Sequence, residues 1–193
     1  PENAIPYVET MKTGSASNTY GWTKTLKKVE TLGVNYIDAV VGDRYTFGGA
    51  SFTILAPNGG GYDGYNNYSV AVKAEYGDVS FMLTGDAEQP TEEGILRRYA
   101  PEALRCQILK SGHHGSKTAS GADFLRALDA DAVLVSCGLD NEYYCPHPSV
   151  LRRYEAQELD VYRTDRDGTI TVRTDGTGYT IAREREESAE AKP

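Results

Sequence analysis

Gly112-His113-His114-Gly115-Ser116 is the stretch on which the reading of this sequence turns. It follows the apolar, strand-like run Cys106 to Leu109. Two further segments share that arrangement: Thr84-Gly85-Asp86 after Val79 to Leu83, and Pro146-His147-Pro148 beyond Ala132 to Val135. All three histidines of the chain lie in these segments. A carboxylate and imidazoles just past strand ends can converge on one edge of a sheet, where α/β proteins build their sites. Asp and His are also donors that Zn²⁺, Mn²⁺ or Fe²⁺ accept.

Outward from these segments the periodicities predict alternating elements. Trp22 to Leu32 has helical spacing, with Gly33 placed as a C-cap. Ala50 to Leu55 alternates as a strand, and the glycine- and tyrosine-rich run Asn58 to Asn67 reads as a long loop. Tyr68 to Tyr76 and Val79 to Leu83 form a hairpin about Gly77-Asp78. A helix is expected over Thr91 to Tyr99, with Thr91 as N-cap and Pro101 as its stop. Cys106 to Lys110 and Ala132 to Ser136 read as strands, with a helix at Ala122 to Leu128 between them. After the loop Cys137 to Pro148, Ser149 is expected to cap a helix over Val150 to Glu158, which leads to a short strand at Leu159 to Tyr162. Thr169 to Val172 and Tyr179 to Ile181 form a last hairpin. The chain thus reads as one α/β domain over residues 1–182 and a charged tail over 183–193.

The formal charge of −8 argues against a nonspecific nucleic-acid coat, which needs a basic face. It leaves room for a nuclease whose metal ions offset the local charge. Three cysteines cannot all pair within the chain, and no Cys-x-x-Cys pair suggests structural zinc. Cys106 and Cys137 read as buried thiols, and Cys145 stands beside Pro146-His147. No run is long and apolar enough to span a membrane.

The pattern resembles the metallo-β-lactamase-fold hydrolases, in the branch typified by the hydrolase domain of the DNA-uptake competence protein ComEC. The matching residues are Asn66-Asn67-Tyr68-Ser69, Ser80 to Ala87, Leu109 to Ser116, Asn141-Glu142-Tyr143, Pro146-His147-Pro148, Tyr162 to Asp165 and Asp167-Gly168. The resemblance implies an αββα sandwich holding two Zn or Mn ions, with an extracytoplasmic or cell-surface location. The family's His-x-(His or Asp)-x-Asp-His signature is absent from these 193 residues. The resemblance therefore implies an incomplete domain lacking roughly its first third, with a partial metal site or none, and inactive alone.

On that resemblance Asp86 bridges the metals, and Asp86, His113 and His147 are the metal ligands. The resemblance leans towards His113 as the ligand of the histidine pair, though the residues alone leave His113 and His114 open. Asp86, His113 and His114 are the candidate catalytic residues. Asn67, Ser116 and Lys117 are candidate substrate contacts, against blander roles as a turn residue, a helix cap and a solvated charge. The implied substrate is a phosphodiester or other small anion, with DNA among the candidates, and the missing first half of the domain is the implied partner. A hydroxide held between two metals would attack phosphorus. Two rival readings remain: a non-catalytic half-domain that pairs with another segment, and a secreted metallo-hydrolase of a different substrate.

Overall fold

The computed structural model describes residues 24, 25, 27–33 and 39–185. Residues 27–31 are helical, and Gly33 at φ +62° ends that helix in the left-handed region that glycine tolerates. The expectations for residues 1–20 and for most of the tail fall outside the described residues.

Seven strands form one sheet in strictly sequential order. β1 (Arg44–Phe47), β2 (Ala50–Ala56), β3 (Ala71–Tyr76) and β4 (Val79–Leu83) are an antiparallel meander. β5 (Ile108–Lys110), β6 (Ala132–Val135) and β7 (Asp160–Arg163) then continue the sheet from β4 in parallel. Parallel neighbours need crossovers. Helices α1 (Gln89–Arg98) and α2 (Pro101–Leu104) join β4 to β5, α3 (Ala122–Leu128) joins β5 to β6, and α4 (Pro148–Glu155) joins β6 to β7. Right-handed crossovers that always advance in one direction place their helices on one face of the sheet. The core agrees, because Ile95, Leu104, Phe124, Leu128, Val150 and Tyr154 pack against Leu55, Met82, Leu109, Val133 and Val135.

Strand alternation sends the intervening residues to the other face, where Ile108 and Ala132 are buried but Leu83 is exposed. A short helix α5 (Thr164–Asp167) leads to the separate hairpin of β8 (Ile170–Thr174) and β9 (Tyr179–Arg183). The tip of that hairpin meets the β3–β4 turn, where Asp78 N donates to Gly176 O at 2.7 Å. The class is therefore α/β, as expected. A four-layer sandwich would require a second large sheet, and the described residues contain one seven-stranded sheet and the two-stranded β8–β9 pair.

Several element ends differ from the sequence reading for local reasons. β3 begins at Ala71, not Tyr68, because Asn66–Tyr68 wind into a 3-10 turn. α1 begins at Gln89, so Thr91 lies inside it and is not the cap; its hydroxyl donates to Asn67 O at 2.8 Å. α4 begins at Pro148 and ends at Glu155, with His147 and not Ser149 as its N-cap.

A buried polar network lies beneath the histidine turn. Tyr154 OH bonds Ser111 Oγ at 2.7 Å and Ser120 Oγ at 2.9 Å. Ser120 N and Gly121 N donate to the two carboxylate oxygens of Glu92 at 2.6 and 2.8 Å. Burial pushes the Glu92 carboxyl up from 4.5 to about 7, against the pull of those two backbone donors and Arg153. A carboxyl whose folded pKa is raised binds more protons in the folded state than in the unfolded state. Its stabilising effect is full below about 4.5 and is lost as pH rises through about 7. The integrated loss is roughly 3 kcal/mol. Thermal unfolding midpoints are thus expected to fall across that window and to stay nearly level in Glu92→Gln. Glu88 and Asp165, both held below their ordinary values, act in a lower pH range and with the opposite sign.

Candidate active-site cleft

Asp86 and the histidine pair occupy the carboxyl ends of β4 and β5, where parallel strands leave a crevice. A cleft of about 550 Å³ opens there, lined by Asp86, His113, His114, Ser116, Cys137, Gly138, Asn141, Tyr143 and Cys145. Gly85 turns the chain at φ +55°, and Asp86 N donates to Ser69 Oγ at 3.1 Å. The next turn is more constrained. His113, His114 and Gly115 all have positive φ (45°, 56° and 82°), a left-handed run that side chains other than glycine resist. It is held by His113 N donating to Gly85 O at 3.0 Å and His147 N donating to Gly115 O at 2.8 Å. The three sequence segments are thereby tied together through their backbones.

Their side chains separate into three different environments. His114 Nδ1 lies 2.8 Å from Ser136 O, and a carbonyl can only accept, so Nδ1 carries the proton. In the neutral ring that leaves the Nε2 lone pair facing Asp86 Oδ1 at 3.4 Å. Two acceptors facing each other at that distance can act as donors to one shared cation.

His113 is committed elsewhere, with Nδ1 3.1 Å from Glu88 Oε1. Glu88 also accepts from Thr118 Oγ1 at 2.7 Å. Burial pushes its carboxyl up, but the bonds from Thr118, Asn66 and His113 outweigh burial and hold it below its ordinary value. His147 has the reverse tautomer from His114. Its Nδ1 accepts from Ser149 N at 3.2 Å, which in the neutral ring leaves the proton on Nε2. It does not line the cleft.

Of the expected trio, Asp86 and His113 line one cleft and His147 lies outside its lining. Among the described residues no group of three His, Cys, Asp or Glu side chains is arranged to hold a metal ion. Asp86 and His114 form a two-donor pair and no more.

The other expected residues divide as well. Asn67 is 2 % exposed, and its Oδ1 accepts from Glu88 N and Thr91 Oγ1, so it positions the Glu88 loop and does not meet solvent. Ser116 lines the cleft but caps no helix; its hydroxyl pairs with Thr118 Oγ1 at 2.9 Å. Lys117 is exposed and outside the cleft lining. Cys137 is half-buried, packed against the edge of the core and lining the cleft wall, with Sγ 3.2 Å from Asp165 Oδ1.

Glu88, two positions after Asp86, went unread in the sequence and orients His113. Lys110, which flanks the histidines in the sequence as a candidate anion-attracting or merely solvated charge, is partly buried under the site. Burial pulls the Lys110 ammonium below its ordinary value while the Asp86 carboxylate opposes that shift.

No family model matches the chain. It is 32% identical over 150 residues to ComE operon protein 3 of Bacillus subtilis, covering 78% of this chain and 19% of that protein. It is 31% identical over 127 residues to Competence protein ComA of Neisseria gonorrhoeae, 66% of this chain and 18% of that protein. It is 32% identical over 124 residues to Recombination protein 2 of Haemophilus influenzae, 64% of this chain and 15% of that protein. The chain thus spans a fifth or less of the length of these curated relatives. It is related, over most of its own length, to one segment of a group of proteins named for competence and recombination.

Proposed function

We propose that this chain is the Asp86- and His114-bearing part of a phosphodiester hydrolase that acts on DNA during its uptake, on the extracytoplasmic side of the membrane. The observation that carries this reading is the Asp86–His114 pair at the strand ends, with imidazole Nε2 3.4 Å from a carboxylate oxygen in an open cleft. The names of the relatives supply the polymer, since competence and recombination both handle DNA. Asp86 and His114 are the donors this chain would contribute to a divalent cation, Zn or Mn, and a full ligand set needs donors beyond the described residues. Such a cation, when bound, supplies a hydroxide nucleophile at neutral pH and neutralises charge on the phosphate.

The chain's own residues shape the site. The carbonyl of Ser136 fixes the His114 tautomer, and Glu88 holds His113 at the cleft wall. Ser116 offers a hydroxyl to the substrate.

The test is cleavage of an end-labelled DNA strand by the full-length protein that contains this chain, with Mn²⁺ or Zn²⁺ and then with a chelator. Cleavage that stops on chelation is expected; no cleavage with either metal overturns the reading. The competing reading, a non-catalytic half that pairs with another segment, draws on the exposed strand residues Phe47, Leu83 and Val161. It requires that the full-length protein be inactive in the same assay.

A further inference from the structure

The loop between β6 and α4 contributes Gly138, Asn141, Tyr143 and Cys145 to the cleft lining. Within six residues it holds Leu139, Tyr143 and Tyr144 out in solvent, the two tyrosines 76% and 82% exposed. Scattered apolar side chains on a surface carry little information, but a group of them at the rim of a cleft marks recognition. Among the described residues neither tyrosine ring packs on another ring and neither hydroxyl has a hydrogen-bond partner.

The backbone beneath the rings is nevertheless fixed. Asn141 Nδ2 donates to Gly138 O at 2.9 Å and to Cys145 O at 2.6 Å, while Asn141 Oδ1 accepts from Cys145 N at 3.0 Å. Tyr144 itself stands at φ +54°, where a bulky residue is strained. A loop clamped from within, with its aromatic side chains pointing away from the core, has already met part of the ordering cost of binding.

We propose that Tyr143 and Tyr144 are a stacking platform for the nucleobases of a single DNA strand whose phosphodiester lies in the Asp86–His114 cleft. This rests on the function proposed above and adds the form of the substrate. Charge decides between the two ways a protein can hold a strand. With a net charge of −8 and Asp86 in the cleft, neutralising the backbone cannot supply the affinity. Stacking on aromatic faces needs no basic groove and accepts every base. Bases in a duplex are already stacked on each other, so the platform selects a single strand. Tyr143, which lines the cleft, takes the base next to the bound phosphate, and Tyr144 takes the one beyond.

The test uses the full chain, without divalent cation so that strands stay intact. Fluorescence anisotropy compares a labelled strand of about ten nucleotides with an abasic strand of equal length and charge. The base-bearing strand is expected to bind about tenfold more tightly, with the advantage lost in Tyr143→Ala and kept in Tyr143→Phe. Tyr143 is exposed, so its variants are expected to keep the parent unfolding midpoint. Equal affinity for the two strands, no binding of either, or an advantage that survives in the Tyr143→Ala, Tyr144→Ala double variant overturns the platform. A protein or membrane occupant of this loop would produce the first or second of those results. Hydrolysis is read separately, on a substrate without nucleobases, so failure of stacking leaves that reading standing.

Discussion

Asp86→Ala in the full-length protein is expected to lower bis-(p-nitrophenyl) phosphate turnover by about three orders of magnitude while leaving the fold intact. The carboxylate has no role in holding the core, because its side chain is close to half exposed and its near partner is His114 in the open cleft. Gly85 and Ser69 fix its backbone, so an alanine fits the same turn. Only the charge facing the imidazole is removed. A variant that unfolds at the parent temperature but has lost turnover places Asp86 in the chemistry. Retained turnover shows that the cleft is not where the phosphodiester is cut.

Gly115→Ala is expected to cost about 3 kcal/mol or more, which for a chain of this size is about 10 °C in the unfolding midpoint. Gly115 stands at φ +82°, where any Cβ is strained. A Cβ there would also lie 2.7 Å from Pro146 Cβ and 3.0 Å from Pro146 Cα, and backbone cannot swing away as a flexible side chain can. The same glycine's carbonyl receives His147 N, so the overlap would push apart the histidine turn and the start of α4. The loss should appear both in stability and in the placement of His114. An unfolding midpoint within a degree or two of the parent would mean that the turn is far softer than this packing implies.

Much of this architecture is legible in the sequence because it is local. Val79 to Leu83 and its Gly77-Asp78 turn form the expected hairpin, and the alternation of apolar runs with helical spacing yields the parallel half of the sheet. Two of the three site segments fall at strand ends, Pro146-His147-Pro148 instead opens a helix, and Asp86, His113 and His114 share one cleft. What the sequence does not disclose depends on partners distant along the chain. Glu92 reads as a first-turn helix charge, yet the amides of Ser120 and Gly121 draw it inside. Glu88 carries no signal in the sequence, and its part in the site appears only once Thr118 and His113 gather around it.

The choice between the two adjacent histidines is the sharpest case. Their identical side chains differ only because one meets a carbonyl at the end of β6 and the other a carboxylate before α1. His147, between two prolines, looks like a rigid ligand, but Ser149 two residues on supplies a donor that turns it into a helix cap.

The central claim is that Asp86 and His114 act on one shared point, and a double-mutant cycle on phosphodiester turnover in the full-length protein tests it most directly. Groups that act as a unit are strongly non-additive. Asp86→Ala, His114→Ala and the double variant are expected to lose nearly the same activity, whereas His147→Ala is expected to retain most of it. Losses at Asp86 and His114 that simply multiply, or a His147→Ala variant as inactive as either, would contradict the assignment.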